Sequence, residues 1–282
     1  MKQLSETQSA SSLIKDINEN FASVGKGGIK SNPIRVLHYN FGLFSLGGTP
    51  TGGITTEAKR VEAVKRWHHI FQKTGADIVL GCECPSVYAR VDGAELQTVS
   101  GIFGDFVSAN QAFASYEAKC LASYFPLLNV QSYAYKNQKP DSDGRTALIA
   151  DVVIGGKTVR LIETHLDFGS TAEPVSLRHA QMEETIALAD GYDYAIIGGD
   201  FNNDTGASEY DIFKTYGFDM ANGTNDSDMF GVINTYPSGT PRKPIDNVIT
   251  KGLTINSVTL INEPELTDHC GLAVELEFND KS

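Results

Sequence analysis

From Ile34 to Phe278 the chain is a succession of short apolar runs patterned as β-strands, joined by Gly- and Pro-rich turns and interrupted by a few stretches of helical periodicity. Ile34 to Phe41 alternates as a strand. Within 57–72, Val61, Val64, Trp67 or His68 and Phe71 recur at helical spacing; Thr74-Gly75 stops that helix, and Ala76 to Leu80 starts a second strand. Thr146 to Ile154 and Thr158 to His165 flank Gly155-Gly156-Lys157, the turn chemistry of a hairpin. Ser170 or Thr171 can cap a helix entered through Pro174, with Val175, His179, Met182, Ile186 and Ala189 as its predicted buried face. Tyr194 to Gly198 reads as a short buried strand and 208–216 as a short helix, with further strands near 245–250, 255–261 and 271–278. No internal repeat or linker divides this region. Hairpins mixed with strand–helix units predict two sheets packed face to face, with helices outside.

Residues 1–32 are different: polar, rich in Ser, Asn and Lys, and closed by Gly25-Lys26-Gly27-Gly28. They read as an N-terminal leader in which Leu13, Ile14, Ile17 and Phe21 approximate one apolar helix face, fit to pack on the body or on a protein partner. The residues from 33 to 282 form the main domain. No window holds the ~18 uninterrupted apolar residues of a membrane span, and the first twenty positions lack the apolar stretch of a secretory signal. With 23 basic and 35 acidic residues, the formal charge is −12, which argues against coating nucleic acid by phosphate neutralisation but leaves room for an enzyme with a local cationic cleft. The cysteines at 82, 84, 120 and 270 match neither a disulfide scaffold nor a zinc motif, so they are expected as reduced, buried thiols in a cytoplasmic setting.

The informative polar residues share one placement, at the point where an apolar strand runs out into a loop. Asn40, Glu83, His165, and Asp200 with Asn202 each follow such a run, and Asp246 and the pair Asp268-His269 interrupt others. Taken singly, such residues make turns. Together they supply hard oxygens suited to Mg2+ and two imidazoles suited to general-base work and phosphate contact. There is no GxSxG elbow and no phosphate-binding GxxxxGK[ST] loop to compete. The inventory points to water attacking a phosphorus ester.

The ordered series Tyr39-Asn40, Cys82-Glu83, Thr164-His165-Leu166-Asp167, Gly198-Gly199-Asp200-Phe201-Asn202, Pro244-Ile245-Asp246-Asn247 and Thr267-Asp268-His269 resembles the endonuclease/exonuclease/phosphatase (DNase I-like) superfamily over about 34–278. The run Leu121-Ala122-Ser123-Tyr124-Phe125-Pro126, and Arg178 with Gln181 ahead of the GDFN strand, agree with it. The resemblance implies a four-layered α/β/β/α sandwich and in-line phosphoester hydrolysis with Mg2+, Mn2+ being an alternative. It implies that Glu83 is the principal metal ligand, helped by Asn40 and Asp268. His269, oriented by Asp246, would act at the attacking water or the phosphate. Asp200 would position or deprotonate that water, Asn202 would hold the phosphate or a second metal, and His165 would donate to a non-bridging oxygen. Independently of the resemblance, a histidine beside carboxylates titrates above the ~6.5 of free imidazole, which makes His269 a cationic partner for phosphate.

Other residues are read more plainly. Arg145 is a further phosphate contact or an exposed turn arginine. His38 shares the Asn40 face and is expected behind the site or in the core. Cys82 and Cys84, on a strand with Glu83, should face away from it into the core. His68, His69 and His179 are packing or surface residues. Tyr133, Tyr135, Lys136 and Lys139 form a mixed cluster able to stack and pair with a nucleic-acid strand, while loops such as 49–53 and 222–231 would select substrate. The leading expectation is a phosphodiesterase acting on DNA. The alternatives are a phospholipid-directed phosphodiesterase, sphingomyelinase- or phosphoinositide-phosphatase-like, and a partner-bound structural module with incidental activity.

Overall fold

A computed structural model describes residues 33–44, 57–84, 103, 111–114, 118–139, 144–204, 208–223 and 230–279. The leader with its expected helix, loop 49–53 and residues 224–229 lie outside them. In chain order the elements are β1 (Ile34–Asn40), α1 (Glu57–Thr74), β2 (Ile78–Cys82), β3 (Gln111–Ala114), β4 (Lys119–Ser123), β5 (Leu128–Ala134), β6 (Thr146–Ile154) and β7 (Lys157–His165). They continue with α2 (Ala172–Ala187), β8 (Tyr194–Asp200), α3 (Asp211–Thr215), β9 (Asp219–Met220), β10 (Asp246–Lys251), β11 (Leu253–Ile261) and β12 (Gly271–Phe278).

Two six-stranded mixed sheets result, ordered β11-β12-β1-β2-β4-β3 and β5-β6-β7-β8-β10-β9. Each contains one parallel pair joined through a helix, β1 with β2 across α1 and β7 with β8 across α2, because a parallel partner needs a long crossover. The register of these pairs decides where the chemistry lands. Asn40 stands opposite Cys82, His165 opposite Asp200, and Asp200 opposite Asp246. The strand ends marked in the sequence are thus brought to one end of each sheet.

Three apolar cores separate four layers, as expected. Between the sheets pack Val36, Ile78, Leu80, Leu121, Leu148, Ala150, Leu161, Ile196, Val248, Leu272 and Val274. Leu37, Tyr39, Phe41, Val79 and Ala122 form the outer face of the first sheet and meet Ala63, Trp67, Ile70 and Phe71 of α1. Trp67 is fully buried, its ring 4.9 Å from that of Tyr39 and 4.4 Å from that of Phe41; truncating such a residue costs about 3–5 kcal/mol. On the outer face of the second sheet, Ile149, Ile162, Ala195 and Ile197 meet Met182 and Ile186 of α2 and Phe213 of α3.

Three expectations are corrected. The buried face of α2 is Pro174, Arg178, Gln181, Met182, Thr185 and Ile186, with His179 exposed. The reason lies in the loop that follows β7. Gln181 accepts from the Asp167 amide and donates to the Asp167 carboxylate and to Asn137 O, while Arg178 donates to the carbonyls of Asp167 and Gly169. Tyr135 is buried, sharing its hydroxyl with Thr164 and Thr185, and Tyr133 donates to Glu184, so these rings are not a stacking platform. Finally, β2 ends at Cys82, and Glu83 adopts a positive φ of 49°. Cys84 packs in the core beneath α1, whereas Cys82 faces between the sheets beside His38 and Glu163. All four cysteines are free and buried, and His68 and His69 lie half-buried and exposed on α1.

Candidate active site

Side chains alternate along each strand, so the inter-sheet face of β1 carries Val36, His38 and Asn40 in turn, and that of β7 carries Leu161, Glu163 and His165. The middle of the sandwich is apolar and its far end is polar. There the buried groups are His38, Asn40, Lys119, Glu163, His165, Asp200, Asp246 and His269.

Asn40 is the hub. Its Nδ2 donates to Asp200 Oδ2 at 3.2 Å and to Glu83 Oε1 at 3.3 Å, and lies 3.4 Å from His269 Nε2. Its Oδ1 accepts the Gly42 amide at 2.9 Å, and its carbonyl accepts the Thr267 hydroxyl at 2.9 Å. Gly42 is required there: its φ is +55°, and a Cβ would sit 2.7 Å from Thr267 Oγ1. Ligation of a cation through the Asn40 oxygen would need the amide to turn over.

His269 Nδ1 donates to Asp246 Oδ2 at 2.9 Å, and the Tyr236 ring packs on the imidazole at 4.8 Å. Its Nε2 stands 3.7 Å from Asp200 Oδ2, and His165 Nε2 stands 3.6 Å from the same oxygen. Asp200 Oδ1 accepts the Asn202 amide at 2.8 Å; Asn202, with φ of 50°, donates its side-chain N–H to Leu166 O and ties the two loops together. Asp268 is half-buried, with its carboxylate 3.2 Å from where a Gly42 Cβ would sit. Arg145 lies 3.9 Å from Asp167 and 5.8 Å from the centre of the Phe168 ring, and its charge reaches both Glu83 and His165. The residues expected at the site therefore converge on one rim.

The electrostatics divide the labour. Burial opposes a charge on His269, but Asp246, Asp200 and Asp268 lift it to about 10, which favours its charged form. Burial drives His165 well below its ordinary range, reinforced by the charges of Arg145, Lys119 and His269, so it is a neutral donor. Burial and the neighbouring Asp246 raise Asp200 to about 7, against the pull of His269, which suits a base working near neutrality. Burial also raises Glu83, partly offset by the Asn40 hydrogen bond. Asp246 is held below the carboxylate range: burial opposes its charge, but His269 and His38 outweigh it.

Crowded carboxylates at a half-open rim fit a hard divalent cation. Glu83 and Asp268 are the accessible oxygen donors. Asp200, Asp246 and His269 also bring ligand-type atoms within 4.8 Å of one another, but there His269 and Asp246 are already engaged with each other. A separate cavity of about 550 Å³, lined by Arg35, Lys73 and Glu275 among others, opens at the opposite end of β1 from Asn40.

Sequence reasoning missed Glu163 and Lys119, charged groups inside the sandwich, and Tyr236 on His269; Glu163 alone left a signal, two positions before His165 on the same strand face.

No family model and no curated protein sequence matches the chain. Solved structures do. An endonuclease/exonuclease/phosphatase protein from Beutenbergia cavernae superposes with a TM-score of 0.63 at 14% identity, over 88% of this chain and 72% of that one. One from Bacteroides vulgatus gives 0.63 at 16% identity, over 89% and 100%. The human nocturnin catalytic domain, solved with a bound sulfate anion, gives 0.62 at 17% identity, over 88% and 95%.

Proposed function

We propose that this chain, whose fold is that of the endonuclease/exonuclease/phosphatase proteins, is a divalent-cation-dependent phosphoester hydrolase, and specifically a phosphodiesterase acting on DNA. The observation that carries this reading is the meeting of Asn40, Glu83, His165, Asp200, Asp246 and His269 at one rim, with Asp246 and His269 paired at 2.9 Å. Glu83 and Asp268, with Asn40 if its amide turns, would hold Mg2+ or Mn2+. When bound, such an ion polarises a phosphoryl oxygen and neutralises leaving-group charge.

The remaining steps belong to the protein. Asp200, with its pKa near neutrality, takes a proton from water. His269 presents a fixed positive charge to the phosphorane-like transition state, and His165 donates a neutral N–H to a non-bridging oxygen. Asn202 braces the loop beside Asp200. A nucleic-acid substrate is favoured by Phe168, which is 65% exposed and has Lys139 and Arg145 each 5.8 Å from its ring centre. An aromatic face flanked by cations is what a strand of stacked bases and phosphates needs.

The test is a substrate panel of supercoiled DNA, RNA, sphingomyelin, an inositol polyphosphate and a bis-aryl phosphate, each with Mg2+ and with EDTA. Nicking of DNA that EDTA abolishes is expected. Turnover of the lipid alone would move the assignment to a phospholipid-directed enzyme, and no turnover of any member would favour a binding module. The N-terminal leader as a docking element for a protein partner belongs to that last reading. Among the described residues no helix is long and apolar enough to cross a membrane.

A further inference from the structure

Behind His269 the polar chain does not stop at Asp246. The second carboxylate oxygen of Asp246, Oδ1, lies 3.4 Å from Nε2 of His38, and the other ring nitrogen, His38 Nδ1, lies 3.4 Å from Oε2 of Glu163. His38, Glu163 and Asp246 are all wholly buried. The three come from different strands, β1, β7 and β10, so this row of groups runs across both sheets. Among the described residues no hydrogen bond satisfies Glu163 Oε1, Glu163 Oε2 or His38 Nδ1, and the 3.4 Å approach of Nδ1 to Oε2 is an ion-pair contact. A buried carboxylate in that state is costly unless a neighbour compensates it, and His38 and Lys119 are the cations whose charges act on it.

We infer that His38, with Glu163 behind it, is a positioning residue for phosphoester hydrolysis: it holds Asp246 from behind so that Asp246 can fix His269 at the phosphate. The geometry sets the tautomer. The Asp246 carboxylate can only accept, so the hydrogen bond at 3.4 Å puts the proton on His38 Nε2, which donates to Asp246 Oδ1. Asp246 is then gripped at both oxygens, by His38 at Oδ1 and by His269 at Oδ2. Rotation of the carboxylate, which would release His269 Nδ1 and let the imidazole swing from Asp200, is blocked from the rear.

The triplet His38, Cys82 and Glu163, whose ligand-type atoms lie within 4.8 Å of one another, does not read as a cation site, because His38 is engaged with Asp246 and the buried Lys119 already brings positive charge to Glu163. The position of His38, two residues before Asn40 on the same strand face, ties it to the hydrolytic rim.

The inference rests on the hydrolase reading for its consequence, though not for its geometry, and the experiment separates the two. Two double variants are compared with wild type: His38→Leu with Glu163→Gln, which removes both ends of the row while Lys119 keeps its hydrogen bond to the Thr146 hydroxyl, and His38→Gln with Glu163→Gln, which keeps a neutral donor toward Asp246. The first readout is the nitrogen-15 spectrum of labelled histidine in the metal-free protein. Wild type should show His38 protonated at Nε2 and a low-field Nδ1–H signal from His269; that signal should persist in the Gln double variant and weaken or move in the Leu double variant. The second is kinetic. The Leu double variant should lose roughly 10–100-fold in kcat with little change in KM, and the Gln double variant should recover most of the loss. A wild-type His38 bare at Nε2 would overturn the inference without recourse to either variant. So would a Leu double variant that folds with the wild-type His269 signal and kcat. If no substrate is turned over, the hydrolase reading fails while the spectra still decide the geometry.

Discussion

Asp246 Oδ2 accepts the Nδ1–H of His269 at 2.9 Å while its other oxygen faces His38 at 3.4 Å, so one buried carboxylate governs the imidazole nearest the reacting space. If that pairing makes His269 a fixed cation beside Asp200, His269→Ala should lower kcat by ~10²–10⁴, and Asp246→Asn should lower it by at least ~10-fold through loss of orientation. KM should move little in either. Steady-state kinetics on a bis-aryl phosphate, with circular dichroism to confirm folding, checks both; wild-type kcat in a folded His269→Ala protein would remove His269 from the chemistry.

The cation should bind on the Glu83 side of the rim. Mg2+ present at a hundredfold excess over its dissociation constant stabilises a protein by about 2.7 kcal/mol if only the folded state binds it. Thermal melts of wild type should therefore rise with Mg2+, and those of Glu83→Gln should not. An equal rise in both proteins would place the ion elsewhere.

Gly42 links backbone shape to the hub. Its φ is +55°, and only 2.7 Å would separate an added Cβ from Thr267 Oγ1, so Gly42→Ala must strain the turn or push Thr267 off the Asn40 carbonyl. A cost of about 1–3 kcal/mol is expected, with a fall in kcat measured well below the melting temperature. A variant that loses neither stability nor activity would show that Asn40 does not depend on this turn.

A pH-dependent contribution to stability is expected away from the rim. Glu184 accepts from the Tyr133 hydroxyl and from Lys136 and Asn137 amides; burial opposes its charge, but these hydrogen bonds hold its pKa below the usual value. A depressed folded-state pKa gives stability that is present above the unfolded value of ~4.3 and is lost as pH falls through the lower folded value. The melting temperature of wild type should exceed that of Glu184→Gln near neutrality, and the gap should close as pH drops below ~4. A gap that widens on acidification would contradict the sign.

Much of the site was legible because each of its residues closes an apolar run, and a residue that ends a strand must emerge at a sheet rim. The parallel register of β1 with β2 and of β7 with β8 then turns sequence position into spatial coincidence. What stayed hidden was polarity turned inward. Arg178 and Gln181 occupy the buried face of α2, so apolar periodicity pointed to His179 instead. Glu163 and Lys119 are charges within the sandwich, where a pattern of apolar residues cannot announce them. Strand β5 escaped notice for the opposite reason, since its Leu128 and Val130 are exposed and define no buried face.

The central claim, that water attacks phosphorus at this rim, is tested most directly by hydrolysing a bis-aryl phosphate with Mg2+ in heavy-oxygen water and locating the label by mass spectrometry. The account predicts one labelled oxygen on the phosphate monoester product of the wild-type protein, none on the aryl alcohol, and no labelled product from Glu83→Gln. Label in the alcohol, or equal labelling of product by the Glu83→Gln protein, would contradict it.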